Sequence, residues 1–177
     1  MHRPAARNAA LSFHTLRPRD LAEIEADPGQ ASLGLQAELD EAARAEICAQ
    51  PVAWAVRDRG RLIACFGIVE SFAGKQGWGW ANLAPGIGTG HLGLTRFVAG
   101  QIAACGLNRL EVLARAADLE SELARFPELD AGQIVALALR KATREVRWGV
   151  LLGLRPAHVL RRFGAAGETY MLFERIA

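Results

Sequence analysis

The pattern of hydrophobic and polar positions divides the chain into short strands and helices. Residues 11–16 (LSFHTL) alternate between apolar and polar side chains, as a half-covered β-strand does. Residues 17–20 (RPRD) interrupt the alternation, and Asp20 is predicted to be the N-cap of a short helix that ends at Pro28. A second helix is predicted over about residues 35–50, where apolar residues recur every four positions.

A three-stranded meander is predicted next, over residues 52–57, 62–71 and 78–84. Its second strand is almost continuously apolar, which is typical of a central strand covered on both faces. The larger side chains of its third strand share one face: Trp78, Trp80 and Asn82. The opposite face holds small residues, and glycine inside a strand commonly marks the close approach of another backbone or a ligand.

The second half of the chain starts with a glycine-rich loop, residues 85–91 (PGIGTGH). A helix is predicted over residues 92–104 and a buried strand over residues 109–114. The next elements are a helix-rich segment over residues 117–141, broken at Pro127, a helix over residues 142–152, and a terminal hairpin formed by residues 155–163 and 168–176. Residues 156–162 also fit a helical turn, since short apolar runs are ambiguous.

This order of elements predicts the α/β class, with a central mixed sheet, helices on both faces and a C-terminal hairpin. The 177 residues, 51% of them hydrophobic, are enough for one domain over residues 1–177 with a helical insertion at about 117–141. In the insertion, residues 133–140 are apolar on several sides. We therefore expect them to pack as a helix against the core or a second subunit.

Charge and cysteine content narrow the choice of partners and location. The chain has 21 basic and 19 acidic residues, and a net charge of +2 argues against a nucleic-acid surface or a polybasic membrane anchor. Its three cysteines are widely spaced and include no CxxC pair, so neither a disulfide framework nor a metal site is indicated. No apolar stretch approaches the length of a membrane span, and a cytoplasmic location is expected.

The glycine-rich loop is the feature most able to carry chemistry. Gly86, Gly88 and Gly90 leave the backbone unobstructed between a strand end and a helix N-terminus, where free N–H groups and the helix dipole favour a pyrophosphate or another anion. The G-x-G-x-G spacing is not a dinucleotide fingerprint, and no P-loop lysine follows it. A tight strand-to-helix turn without a ligand explains the same residues equally well.

Several segments match one known family in order. They are residues 17–20 after the first strand, residues 64–69 as a central third strand, residues 83–88 (LAPGIG) as a fourth strand and loop, residues 145–154 (EVRWGVLLGL) as a helix end, and residues 159–164 with 167–174 as a final hairpin. Over nearly the whole chain this layout resembles the GNAT superfamily of acyl-CoA-dependent N-acetyltransferases. It is closer to the degenerate branch found in phage and prophage genomes than to standard members.

The resemblance implies a GNAT-like fold and acetyl-CoA as co-substrate. It assigns the binding of acetyl-CoA to one stretch of the chain: Leu83, Ala84, Gly86, Ile87, Gly88, Thr89, Gly90 and His91. Two positions depart from the family pattern. The family usually has Gln or Arg three residues before its first glycine, and this chain has Leu83 there if that glycine is Gly86, or Pro85 if it is Gly88. Gly149 stands where a tyrosine often serves as general acid. The resemblance also implies that strands 78–84 and 109–114 are parallel neighbours that separate just after Ala84.

Acyl transfer needs alignment of an amine and a thioester, and a base for the amine proton. Glu70, at the end of the central strand, is the leading base candidate, although an exposed carboxylate at a hairpin end explains it as well. Tyr170, the sole tyrosine, substitutes for the missing acid if its hydroxyl points into the cleft. Trp78 and Trp80 would line a pocket for an aliphatic or aromatic substrate if their face is open.

Two functions remain open at this stage. The first is an N-acetyltransferase that acts on the amine of an unidentified small molecule or protein. The alternative is a catalytically degenerate GNAT-fold protein with a structural or binding role, for example in a phage-derived particle. A homodimer is compatible with either function.

Overall fold

The computed structural model describes residues 11–25 and 39–177. Its strands are β1 (Leu11–Thr15), β2 (Val52–Asp58), β3 (Arg61–Phe72), β4 (Gln76–Leu83), β5 (Arg109–Arg115), β6 (Arg155–Leu160) and β7 (Tyr170–Ile176). Its helices are α1 (Pro18–Glu23), α2 (Glu41–Cys48), α3 (Gly90–Ala104), α4 (Glu120–Arg125), α5 (Ala131–Arg140) and α6 (Arg144–Leu151). Within the described residues, no helix is long and apolar enough to cross a membrane.

The seven strands form one mixed sheet in the order β1-β2-β3-β4-β5-β7-β6. Neighbours are antiparallel except for β4 and β5, which run parallel. The apolar run in β3 lies between β2 and β4 and is buried from Leu62 to Ile68, as its sequence predicts. The mixed sheet and the terminal hairpin are confirmed, and residues 155–160 form a strand rather than a helical turn.

Helices cover both faces of the sheet, because alternate side chains of each strand point to opposite sides. On one face, α1 and α2 pack over a small cluster: Leu16, Ala53, Ala55, Leu62 and Cys65, with Leu21, Ile24, Ile47, Cys48 and Trp80 against it. On the other face, α3 and α6 pack over the main core, which includes Leu94, Val98, Val146, Met171 and Phe173.

The predicted start of the first helix is wrong. The N-cap is Arg17 and α1 begins at Pro18, so Asp20 is the third helical residue. Proline suits the first turn of a helix because its φ is already fixed and its missing N–H is not needed there. The Asp20 carboxylate accepts a hydrogen bond from the Arg17 N–H at 3.0 Å and pairs with the Arg57 guanidinium at 2.9 Å.

The second helix is confirmed over Glu41–Cys48, but the described residues 39 and 40 are not helical, so the predicted start of this helix is wrong. The α2 helix begins after Asp40, whose side chain accepts from the Ala43 N–H at 2.7 Å. The α1 helix ends at Glu23, with Ile24 as its C-cap in an extended conformation, so the prediction that it continues to Pro28 is wrong. Pro28 itself and the predicted helical residues 35–38 lie outside the described residues.

The insertion forms two helices, α4 and α5, on either side of Pro127. The α5 helix starts with a capping box, in which Asp130 and Gln133 each accept from the other's backbone N–H. It packs beside β6 and buries Leu137 and Ala138. The prediction that this segment packs as a helix against the core is confirmed.

Candidate active site

The two parallel strands at the centre of the sheet separate part-way along their length. Pairing between β4 and β5 covers only Gln76–Gly79 and Arg109–Val112, whereas β4 continues to Leu83 and β5 to Arg115. The predicted parallel pair with a gap is confirmed, but the predicted point of separation, just after Ala84, is wrong. At Gly79, the last paired residue of β4, an added Cβ would be 2.8 Å from Val112 Cγ2. They separate directly after this last glycine of β4.

Beyond Gly79, each strand keeps its other neighbour. Residues 80–83 of β4 pair with β3, and residues 113–115 of β5 pair with β7. The facing edges of β4 and β5 form no ladder with each other over this stretch. An extended ligand that carries amide groups can hydrogen-bond to such edges as an added strand does.

A cavity of about 440 Å³ passes through this gap. It lies within the size range of small-molecule and cofactor sites. On the α1/α2 face its walls include Leu21, Leu39, Ile47, Gly67, Val69, Trp78 and Trp80. On the α3/α6 face its walls include Val98, Gln101, Ile102, Trp148, Gly149 and Leu152. Residues from both faces line one cavity, so the gap connects the two sides of the sheet.

The glycine-rich loop joins the end of β4 to the start of α3. Gly86 and Gly88 have positive φ angles of 73° and 58°, which L-residues with a Cβ rarely adopt. The Gly90 N–H donates to the Ile87 carbonyl at 3.3 Å, and the His91 N–H donates to the Gly88 carbonyl at 3.2 Å. Within residues 11–25 and 39–177, the N–H groups from Gly86 to Thr89 donate to no backbone carbonyl. They lie before the N-terminus of a 15-residue helix and are available to an anion.

Arg61 is a site residue that the sequence reasoning missed. Its guanidinium donates to the Pro85 carbonyl at 2.7 Å, which holds an exposed positive charge beside the loop. The antiparallel pairing of β3 with β4 accounts for this position, because it places the start of β3 next to the end of β4. The position of Arg61 could have been predicted from the pairing of the two antiparallel strands, because such pairing places the first residues of one strand beside the last residues of the other.

His91 lies in a contact between α3 and α6. Its Nδ1 is 3.3 Å from Thr95 Oγ1, and its ring centroid is 5.8 Å from that of Trp148. The Trp148 indole N–H donates to Thr95 Oγ1 at 2.9 Å. This bond links the N-terminal turns of α3 to α6. It therefore holds the loop in a fixed position relative to the α6 side of the cavity.

Gly149 leaves no room for a side chain. A Cβ at this position would lie 2.8 Å from Cε2 and Cζ of the Phe173 ring, which is fully buried. The packing of α6 on β7 therefore leaves no space for a tyrosine at this position.

The two predicted catalytic residues lie in different places. Glu70 Oε2 accepts from the Gly74 N–H at 2.7 Å across the turn between β3 and β4, and Glu70 is not part of the cavity wall. Tyr170 is the first residue of β7, is fully buried, and lines the cavity opposite Arg115. The structure thus brings Tyr170 to the gap and leaves Glu70 at the hairpin end.

The cavity wall is almost uncharged. Among the described residues of the wall, Arg115 and Glu145 are the ones that carry a charge at neutral pH, and Tyr170 adds a phenol group. In the part of the chain that the structure describes, no group of three or more His, Cys, Asp or Glu side chains could hold a metal ion.

No protein-family model and no curated protein matches this chain by sequence. Solved structures do match its fold. An aminoglycoside 6′-N-acetyltransferase from Enterococcus faecium has a TM-score of 0.61 at 14% identity, over 93% of this chain and 96% of that one. A GNAT-family acetyltransferase from Streptococcus pneumoniae has a TM-score of 0.56 at 14% identity, over 94% of this chain and 99% of that one. The chain has the GNAT fold.

Another neighbour with this fold is the spermidine N-acetyltransferase from Vibrio cholerae, solved in complex with CoA and spermine. It has a TM-score of 0.58 at 13% identity, and 96% of each chain is covered. At these identities the likeness concerns the fold alone. In this version of the GNAT fold, the gap between β4 and β5, the glycine-rich loop and the cavity all lie at the carboxyl end of β4.

Proposed function

We propose that this protein is an acyl-CoA-dependent N-acetyltransferase. The observation that carries the proposal is the cavity that passes through the gap between β4 and β5. A thioester that enters from one face of the sheet and an amine that enters from the other would meet in the gap. Acyl transfer depends mainly on this alignment, because holding two reactants in place replaces a costly bimolecular encounter.

In this proposal the glycine-rich loop holds the pyrophosphate of acetyl-CoA. The residues assigned to binding are Leu83, Ala84, Gly86, Ile87, Gly88, Thr89, Gly90 and His91. The unengaged N–H groups from Gly86 to Thr89 and the dipole of α3 favour an anion there. Arg61 adds a full positive charge, which offsets the absence of Gln or Arg at position 83.

The reaction forms a bond between the amine nitrogen and the acyl carbon and breaks the bond between that carbon and sulfur. We assign to Tyr170 the donation of a proton to the leaving thiolate, because its side chain lines the cavity. Glu70 remains a proposed base, and it would have to release the Gly74 N–H before it could accept the amine proton. In this proposal, alignment of the amine and the thioester therefore contributes more to catalysis than proton removal by a protein base.

Calorimetric titration with acetyl-CoA tests the proposal. We expect the parent protein to bind acetyl-CoA and the Gly88→Val variant to lose binding, because valine strains the positive φ and obstructs the approach to the loop. Gly74→Val is the matched control, since Gly74 has a φ of 63° in a turn that is not assigned to binding. It should lose similar stability and keep its affinity. A parent that fails to bind millimolar acetyl-CoA would refute the proposal.

A second candidate function is ligand binding without catalysis. It is favoured by Phe173, whose ring occupies the space beside Gly149 that a general acid on α6 would need. In this case acetyl-CoA would bind, but the addition of an acceptor amine would release no CoA thiol. The phage-derived origin suggested by the sequence resemblance stays a prediction.

A further inference from the structure

We infer that the acceptor is an amine with an apolar, aromatic or aliphatic body and no second positive charge, rather than a polycation. This inference rests on the proposed acetyltransferase function. It concerns the α1/α2 half of the cavity, whose walls include Leu21, Ile47, Val69, Trp78 and Trp80.

The direction of entry for each substrate follows from the position of the loop. The loop leads into α3, and α3 packs with α6 on one face of the sheet. A donor whose pyrophosphate lies at this loop therefore reaches the gap from the α3/α6 side. The α1/α2 side of the gap is left for the acceptor.

The chemistry of that half does not suit a polycation. Leu110, Val112 and Ala114 of β5 pack into the core under α3 and α6, so the alternate residue Arg115 points to the α1/α2 face. The only acidic residue among the described cavity walls, Glu145, lies on α6. The described walls of the acceptor half thus hold no carboxylate that a polycation could pair with. Removing several ammonium groups from water without such partners is costly.

The same surroundings favour a lone amine as nucleophile. Burial in an apolar site disfavours the charged ammonium form and lowers the pKa of an amine. An amine that enters beside the two tryptophans would lose its proton more readily than in water. The reaction then needs less from a protein base, which agrees with the position of Glu70 outside the cavity wall.

Trp78 and Trp80 also determine the shape of the body that fits. They are on the same face of β4, two residues apart, and 39% of the Trp78 surface is exposed to solvent. Flat apolar groups pack well against indole rings and gain contact area at little entropic cost. A 2-phenylethylamine molecule has such a group and a single amine.

The test compares acceptors with the same protein preparation and saturating acetyl-CoA. Thiol release should give a kcat/KM for 2-phenylethylamine that is at least about tenfold higher than for spermidine or kanamycin. Trp78→Ala should lower the value for 2-phenylethylamine, whereas Phe72→Ala, which removes an exposed aromatic residue outside the cavity wall, should not. Trp78→Glu should shift the preference toward spermidine. Equal or better turnover of spermidine by the parent would overturn the inference.

A second measurement separates this inference from the proposed function. Binding of 2-phenylethylamine without acetyl-CoA is measured by calorimetric titration of the parent, Trp78→Ala and Phe72→Ala proteins. Binding that Trp78→Ala alone abolishes supports the apolar acceptor site even if no turnover is found. If acetyl-CoA binds but 2-phenylethylamine does not, the acceptor inference fails and the proposed function stands.

Discussion

The ring of Phe173 on β7 lies directly against the backbone of Gly149 on α6. A Cβ at position 149 would be 2.8 Å from two ring atoms, closer than carbon atoms pack in proteins. This contact lets α6 sit close to the sheet at the inner end of the gap. It also means that the residue at position 149 is determined by packing.

Gly149→Ala is expected to destabilise the protein by about 1–3 kcal/mol, the usual cost of overpacking a core. The measurement is the free energy of unfolding in urea. Gly100→Ala in α3 is the matched control, because an added Cβ there would have no neighbour within 4 Å. It should stabilise the protein by up to about 1 kcal/mol, since alanine is the better helix former.

The double variant with Phe173→Leu separates packing from other effects. Leucine removes the ring atoms that the new Cβ would meet, so the cost of Gly149→Ala should fall in that background. Equal costs in both backgrounds would show that Phe173 is not the cause.

Much of the fold could be predicted because its signals are local. The apolar run in β3 predicts a central strand, and the alternation in β1 predicts a strand with one covered face. The error at Asp20 is of a different kind. Asp20 is a good N-cap residue, but Pro18 allows the helix to begin earlier, and Asp20 then pairs with Arg57 from a strand 37 residues later. No local pattern contains that pairing.

The site could be predicted only in part, for a similar reason. Gly86 and Gly88 of the loop are visible in sequence because their positive φ angles favour glycine. The position of Arg61 beside the loop depends on strand pairing, and the position of Tyr170 in the cavity wall depends on which face of β7 reaches the cavity. Glu70 looked like a base because it ends a central strand, yet its carboxylate is held by the next turn.

Thr95→Val should weaken the link between α3 and α6. The substitution keeps the side-chain shape but leaves the Trp148 indole N–H without its acceptor at 2.9 Å. We expect a loss of about 1–3 kcal/mol in the free energy of unfolding, together with weaker acetyl-CoA binding. Thr95→Ser retains the hydroxyl and should behave like the parent in calorimetric titration. Equal behaviour of the valine and serine variants would contradict this role for the bond.

Arg61→Ala should reduce the affinity for acetyl-CoA by about tenfold, the equivalent of one charge-assisted contact of about 1.4 kcal/mol. The neighbouring Arg59 is the control, because it is exposed and lies 4.0 Å from Asp58 in the hairpin turn. Titration of the parent at two salt concentrations should show weaker binding at high salt, and Arg61→Ala should show a smaller salt effect. An unchanged affinity in Arg61→Ala would remove this residue from the proposed site.

The Cys65 thiol should make the stability of the protein depend on pH in alkaline solution. Burial in the cluster under α1 and α2, with a further contribution from the negative charge of Asp20, raises the pKa of Cys65 to about 12, above the ~8.5 of a cysteine in an unfolded chain. Between these two values the unfolded chain loses the proton while the folded chain keeps it. The stabilisation is therefore complete below the unfolded pKa and is lost as pH rises toward the folded pKa, by at most about 1.4 kcal/mol per pH unit.

The measurement is the free energy of unfolding in urea between pH 8 and pH 10.5 for the parent, Cys65→Ala and Cys65→Val. The difference between the parent and each variant isolates Cys65, because the other titrating side chains are common to all three proteins. Alanine and valine fill the site differently and will differ in absolute stability, but neither titrates. As pH rises above about 9, the free energy of unfolding of the parent should therefore fall relative to that of each variant, and by the same amount in both comparisons. Parallel pH profiles for all three proteins would show that the folded state does not hold the Cys65 proton.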